Sequence, residues 1–189
     1  MRLRILMPIA ILIIVAQACC CTRLGGPQPP YPITPSDETV QHLKERLDAA
    51  TPGPDGTFTL TVTNEEITSL VVKRLAEQQQ RGEAMPISAP QVYFRNGRVE
   101  VYATLQLSDA LAVPGMVAMS IAIDDDTPVF SIEEIDVGPL PVPAALLEEL
   151  TNQVNQTLLE SLDGVPNPIT AIQIGEGQMT VTAQTTTGN

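Results

Sequence analysis

The sequence predicts an α+β domain in which an antiparallel meander carries amphipathic helices on its apolar side. Three observations predict it. Asn96-Gly97 separates Val92-Tyr93-Phe94-Arg95 from the run Val99 to Leu107, and both residues tolerate the positive φ that a two-residue type I′ hairpin requires. In the second run Val99, Val101, Ala103, Leu105 and Leu107 alternate with Glu100, Tyr102, Thr104 and Gln106, which gives one apolar and one wet face. Apolar stripes of helical spacing stand both before and after this meander, and the apolar face needs a cover.

The chain opens with Arg2 and Arg4, an almost wholly apolar run from Ile5 to Ala18, and Cys19-Cys20-Cys21. A basic start followed by a short apolar core is an export signal rather than part of the fold. Its run of about 14 apolar residues, interrupted by Pro8, falls short of the roughly 20 that span a bilayer as a helix. The break Ala16-Gln17-Ala18-Cys19 resembles the lipobox of bacterial lipoproteins, with Ala16 in place of the usual Leu and Gln17 in place of a small residue. That resemblance implies cleavage after residue 18, a diacylglyceryl thioether on Cys19, and attachment to the extracytoplasmic side of the cell membrane. The body of the chain has no other cysteine, so neither a disulfide framework nor a CxxC metal site belongs to it.

Residues 19–35 carry Gly25-Gly26 and five prolines and read as a tether. About 14 extended residues at about 3.1 Å each would hold the domain roughly 40 Å from the membrane. The domain proper is expected over residues 36–185, with a frayed tail at 186–189. Ser36 caps a first helix with Asp37 and Glu38 in its positive first turn and Val40, Leu43 and Leu47 as its stripe. Thr57 to Thr63 alternates as a strand with Phe58, Leu60 and Val62 inward, and runs directly into a capping box, Thr63-Asn64-Glu65-Glu66. Ile67, Leu70, Val71 and Leu75 form the stripe of that second helix, which ends at Gly82.

After the hairpin, Val117, Met119, Ile121 and Ile123 alternate with Ala118, Ser120 and Ala122, so the outer face here is small and also coverable. In the next strand the apolar phase slips by one between Ile132 and Ile135, which a β-bulge near Glu133 or Glu134 absorbs. Pro143 opens a long helix with Leu147, Leu150, Val154 and Leu158 on one stripe. Ile169 to Ile174 and Met179 to Ala183 pair around Gly175-Glu176-Gly177.

Residue supply narrows the chemistry. A net charge of −12 argues against nucleic acid, which needs clustered Lys and Arg. His42 is the sole histidine and lies among polar residues of the first helix, which leaves no catalytic triad and points away from an enzyme. Asp124-Asp125-Asp126 lacks the spacing of a calcium loop and reads as an acidic turn. Glu133-Glu134 and Glu148-Glu149 are adjacent pairs that point apart and read as solvated. No phosphate-cradling glycine loop exists, and no cofactor or metal is expected.

The order of elements from Thr57 to Ala183, with the capping box at Thr63, the meander and the bend Val137-Gly138-Pro139-Leu140-Pro141-Val142-Pro143, resembles bacterial envelope proteins of the YpmS and LmeA kind. More loosely it resembles small lipoproteins with half of a tubular lipid-binding (TULIP, BPI-like) fold. This resemblance implies a strongly bent antiparallel sheet wrapped around the long helix of the C-terminal half, with the second amphipathic helix beside it. It also implies an apolar groove for acyl chains. Such pockets are lined by aliphatic side chains, and the candidates are Leu70, Val71, Val101, Ala103, Leu105, Met119, Ile121, Leu147, Leu150, Val154 and Leu158. The same periodicity describes a closed core. The expected function is that of a membrane-tethered, non-enzymatic lipid-binding lipoprotein that takes up acyl chains of a lipid or glycolipid in envelope assembly. The alternative is an envelope interaction module with a closed core and a protein partner. Cys19→Ala should release the protein from membranes or leave the precursor uncut, as membrane fractionation and precursor size will show; unchanged attachment would refute lipidation.

Overall fold

A computed structural model describes residues 26–82, 87–108, 111–124, 127–139 and 169–184, together with 141, 144, 145, 148, 151, 152 and 155. The expected signal segment, Cys19 and the tail at 186–189 lie outside the described residues. In chain order the elements are α1 (Asp37–Ala49), β1 (Thr57–Thr63), α2 (Asn64–Gln80), β2 (Ile87–Arg95), β3 (Arg98–Ser108), β4 (Leu111–Asp124), β5 (Thr127–Asp136), β6 (Ile169–Ile174) and β7 (Gln178–Gln184). Helical residues Ala144, Ala145, Glu148, Thr151, Asn152 and Asn155 stand between β5 and β6. The strands form two antiparallel sheets, β2-β3-β4-β5 and β1-β7-β6.

The local signals explain most of these elements. Asn96 and Gly97 adopt φ of 53° and 75° and join β2 to β3 through the Arg95 and Arg98 pair. Thr63 Oγ1 accepts from Glu66 N at 3.3 Å while Glu66 Oε2 accepts from Thr63 N at 3.0 Å, so β1 passes into α2 without a loop. Arg46 of α1 then reaches Glu66 Oε1 at 3.0 Å and also bonds the Thr61 carbonyl, which fixes α1 across this junction. The slip in β5 falls where expected, between the pairs Ala118 with Glu134 and Met119 with Ile132. Leu47 departs from its predicted stripe: it is 48% exposed, and α1 buries Val40 and Leu43 only.

The expected strongly bent sheet wrapped around a long C-terminal-half helix is not what the chain builds. The four-stranded sheet is open and uncurled, and the helices described in full both lie in the N-terminal half. The physical reason is that this sheet is covered on both faces. On one side Val92, Phe94 and Val99 join Leu43 and Val62 in an aliphatic core. On the other Tyr93, Tyr102, Met116 and Ala118 are buried with Ile33 of the N-terminal segment. A sheet with one dry face gains by rolling that face inward; one covered on both gains nothing from curling.

That second cover is the proline-rich stretch itself, which joins the fold at Gly26. Gly26 N donates to the Pro114 carbonyl at 2.6 Å, and a Cβ there would collide with the backbone carbonyl of Asp136. Ile33 N donates to Gln91 Oε1 at 2.8 Å, and the Tyr93 hydroxyl donates to the Tyr31 carbonyl. Tyr31, Tyr93 and Tyr102 follow one another edge to face, with centroids 5.1 and 5.5 Å apart. From Gly26 onward the stretch read as a spacer is therefore part of the folded unit.

The edges of the four-stranded sheet are closed by side chains. Along β2, Phe94 N donates to Asn64 Oδ1 at 2.9 Å and Val92 N donates to Thr68 Oγ1 at 2.9 Å. Along β5, Phe130 N donates to Asn155 Oδ1 at 2.8 Å, Asn155 Nδ2 donates to the Phe130 carbonyl at 2.7 Å, and Ile132 N donates to Thr151 Oγ1 at 3.3 Å. Each pair sits four residues apart on a helix and meets strand residues two apart, because about 6 Å of helix rise matches about 6.6 Å of strand. Asn64→Ala leaves the buried Phe94 amide without its acceptor and is expected to cost about 1 to 3 kcal/mol. Thr68→Val is expected to cost less, and urea unfolding with an unchanged slope will measure both.

Candidate functional site

Helix α2 is laid on the sheet by its polar side. Asn64, Glu66, Thr68 and Ser69 are buried, as is Leu75, whereas Ile67, Leu70 and Val71 of the same helix are only half-buried. The reversal follows from the edge contacts: residues that bond β2 must face it, so the aliphatic stripe turns toward the space between the two sheets. Asn64 also donates through Nδ2 to the Tyr31 hydroxyl at 2.8 Å, which ties this orientation to the N-terminal segment.

Leu70 and Val71 meet Val101 of β3 and Met119 and Ile121 of β4 around the core of Leu43, Val62, Val92, Phe94 and Val99. Five of the predicted groove residues are thus brought together. Leu60, Ile67, Ile174 and Met179 join them from β1, α2, β6 and β7; the sequence marks each as apolar on its element, but nothing in it shows that the two sheets meet here. Their meeting is fixed by the β6-β7 turn, where Gly177 N donates to the Phe94 carbonyl at 2.9 Å and Asn64 N donates to the Gly177 carbonyl at 3.1 Å. Glu176 Oε1 accepts from Asn96 N at 2.9 Å in the same place.

The remaining predicted residues part company with this cluster. Ala103 lines a separate hollow of about 220 Å³ beneath Pro27, Gln28 and Pro29. Leu105 lies near Gly115, where its Cδ1 would stand 2.9 Å from an added Cβ. Leu147, Leu150, Val154 and Leu158 lie outside the described residues, although Thr151 and Asn155 between them bind β5.

At the start of α2, beside this cluster, the buried Glu66 is paired with Arg46. Charge is also buried on the opposite face of the sheet. Glu100, predicted to be wet, is 4% exposed. It lies 3.4 Å from Arg98 Nε and 3.7 Å from Arg95 Nη1, and accepts from the Tyr102 hydroxyl at 3.0 Å. Arg98 Nη1 extends to Glu133 and Glu134 at 3.9 and 3.7 Å, so the pair read as simply solvated is part of this chain of charges. Burial is the main cause that raises the Tyr102 hydroxyl above the ordinary tyrosine range, and the bond to Glu100 adds to it.

Burial likewise pushes the Tyr93 hydroxyl up to about 12, with smaller contributions from Tyr31, Tyr102 and Glu65. An unfolded tyrosine ionises near pH 10. The folded protein holds this proton more tightly, so the contribution to stability is intact below about pH 10 and is lost as pH rises toward about 12. The urea midpoint is expected to fall across that window, and Tyr93→Phe, measured from pH 9 to 12, should flatten the fall without abolishing it because Tyr102 is shifted in the same direction.

The cluster offers apolar contact area of a kind that suits an apolar chain. Compared with protein-family models, with curated proteins and with solved structures, the chain has no match.

Proposed function

We propose that this chain is a non-enzymatic lipid-binding protein, tethered to the extracytoplasmic side of a bacterial membrane through Cys19, and that it takes an acyl chain of a lipid or glycolipid against the aliphatic cluster of α2 and the two sheets. The observation that carries this reading is the inverted burial of α2, which hides Asn64, Glu66, Thr68 and Ser69 and leaves Ile67, Leu70 and Val71 half-covered. Buried polar residues on a helix whose apolar ones are only half-covered depart from ordinary burial. Here the two departures occur on one helix and have one cause.

The composition of the cluster supports the same reading. It is aliphatic apart from Phe94, and Met119 and Met179 bring unbranched side chains that adapt to irregular shapes. Each methylene of a hydrocarbon chain moved out of water contributes about 0.8 kcal/mol before the cost of ordering the chain. An acyl chain lying along α2 would need no hydrogen-bonding partner there. The basic and apolar start of the chain supports the tether.

Residues 22–189, purified without detergent and extracted into organic solvent, are expected to release lipid detectable by mass spectrometry. Val71→Glu and Met119→Glu should each lower the recovered lipid severalfold while the far-ultraviolet spectrum stays unchanged. A wild-type domain that yields no lipid would refute the reading and leave the closed core with a protein partner.

A further inference from the structure

We infer that the end of the domain where Gly26 joins the sheet is the surface it lays against the bilayer. This deepens the reading above and rests on its anchor at Cys19. Seven residue steps separate Cys19 from Gly26, and a chain that long spans at most roughly 25 Å. Gly26 is fixed to Pro114 by its amide and wedged against Asp136, so the leash ends there and not at Pro35. The opposite end of the sheet lies at Asp124, ten residues along β4 from Pro114, or roughly 33 Å away at strand rise. With the Asp124 end against the lipid, Gly26 would stand beyond the reach of its own leash.

Charge does not separate the two ends. The strand directions place the start of β2, the Pro114 end of β4 and residues 136–139 with Gly26. Helix α2 runs opposite to β2, since Asn64 meets Phe94 and Thr68 meets Val92; its last turn therefore lies at this end too. Among the described residues here the charged ones are Glu77, Arg81 and Asp136, and Asp136 is occupied in accepting from Gly138 N at 2.7 Å. The far end carries Glu65, Asp124 and Glu176 together with Arg95 and Arg98, which flank the hairpin turn there. Acidic and basic groups stand at both ends, so the reach of the leash alone selects the Gly26 end.

The test uses the full chain in a Cys20→Ser, Cys21→Ser background, which leaves Cys19 for the lipid and frees the domain for single labels. Gln28→Cys and Ser88→Cys report the near end, and Asp124→Cys the far end. Each carries a bimane fluorophore and is reconstituted into vesicles of phosphatidylethanolamine and phosphatidylglycerol that contain a headgroup nitroxide. Quenching severalfold stronger at positions 28 and 88 than at 124 is expected. Equal or reversed quenching, with the diacylglyceryl mass present on Cys19, would overturn this orientation alone. Absence of that mass would overturn the anchor and the orientation with it.

Discussion

The structure depends on helix side chains that take over the hydrogen bonding of strand edges. An open sheet leaves a row of amides and carbonyls on each outer strand, and burying them unpaired is costly. Asn64 and Thr68 answer β2, and Thr151 and Asn155 answer β5. The arrangement works because one helical turn and two strand residues have nearly the same length. It has a consequence for everything beyond the edge: once the polar side of α2 is committed to β2, its aliphatic side has to face the junction of the sheets. The proposed lipid contact is thus a by-product of how the edge is closed.

The other face obeys a different constraint. Glu100 and Tyr102 point away from the aliphatic core; Tyr102 is buried in a cluster with Ile33 of the N-terminal segment, and Glu100 is buried among Arg95, Arg98 and Tyr102. A carboxylate taken out of water needs charge nearby, and Arg95 and Arg98 flank it across the hairpin turn. The tyrosine row beside it supplies apolar bulk in a chain otherwise poor in aromatics. Aliphatic packing on one face and aromatic and ionic packing on the other leave the sheet held between them.

What was legible in the sequence is what neighbouring residues decide. Asn96-Gly97 specifies its turn, Thr63 and Glu66 specify a helix start, and the phase slip at Glu133 specifies a bulge, since each rests on a few adjacent positions. The failures involve distant partners. Glu100 read as wet because alternation says nothing of what packs on that face, where a segment some 70 residues earlier covers Tyr102 beside it. Leu47 read as core because helical spacing does not reveal where the neighbouring element stops. The bent sheet came with the resemblance rather than from the residues, and the cover on the second face overturns it. For the candidate site, the aliphatic positions were visible one element at a time. Their assembly around α2 was not, because the signal for it is polar: Asn64 and Thr68, four apart beneath a capping box, look like ordinary first-turn residues until a strand edge is placed against them.

The tyrosine row also makes the protein its own optical gauge. With no tryptophan in the chain and all three tyrosines stacked in that row, its near-ultraviolet circular dichroism and intrinsic emission arise chiefly from one spot, where the leading segment meets β2 and β3. Lifting that segment would change the signal while the aliphatic side stayed silent, so events on the two faces can be told apart without attaching a dye.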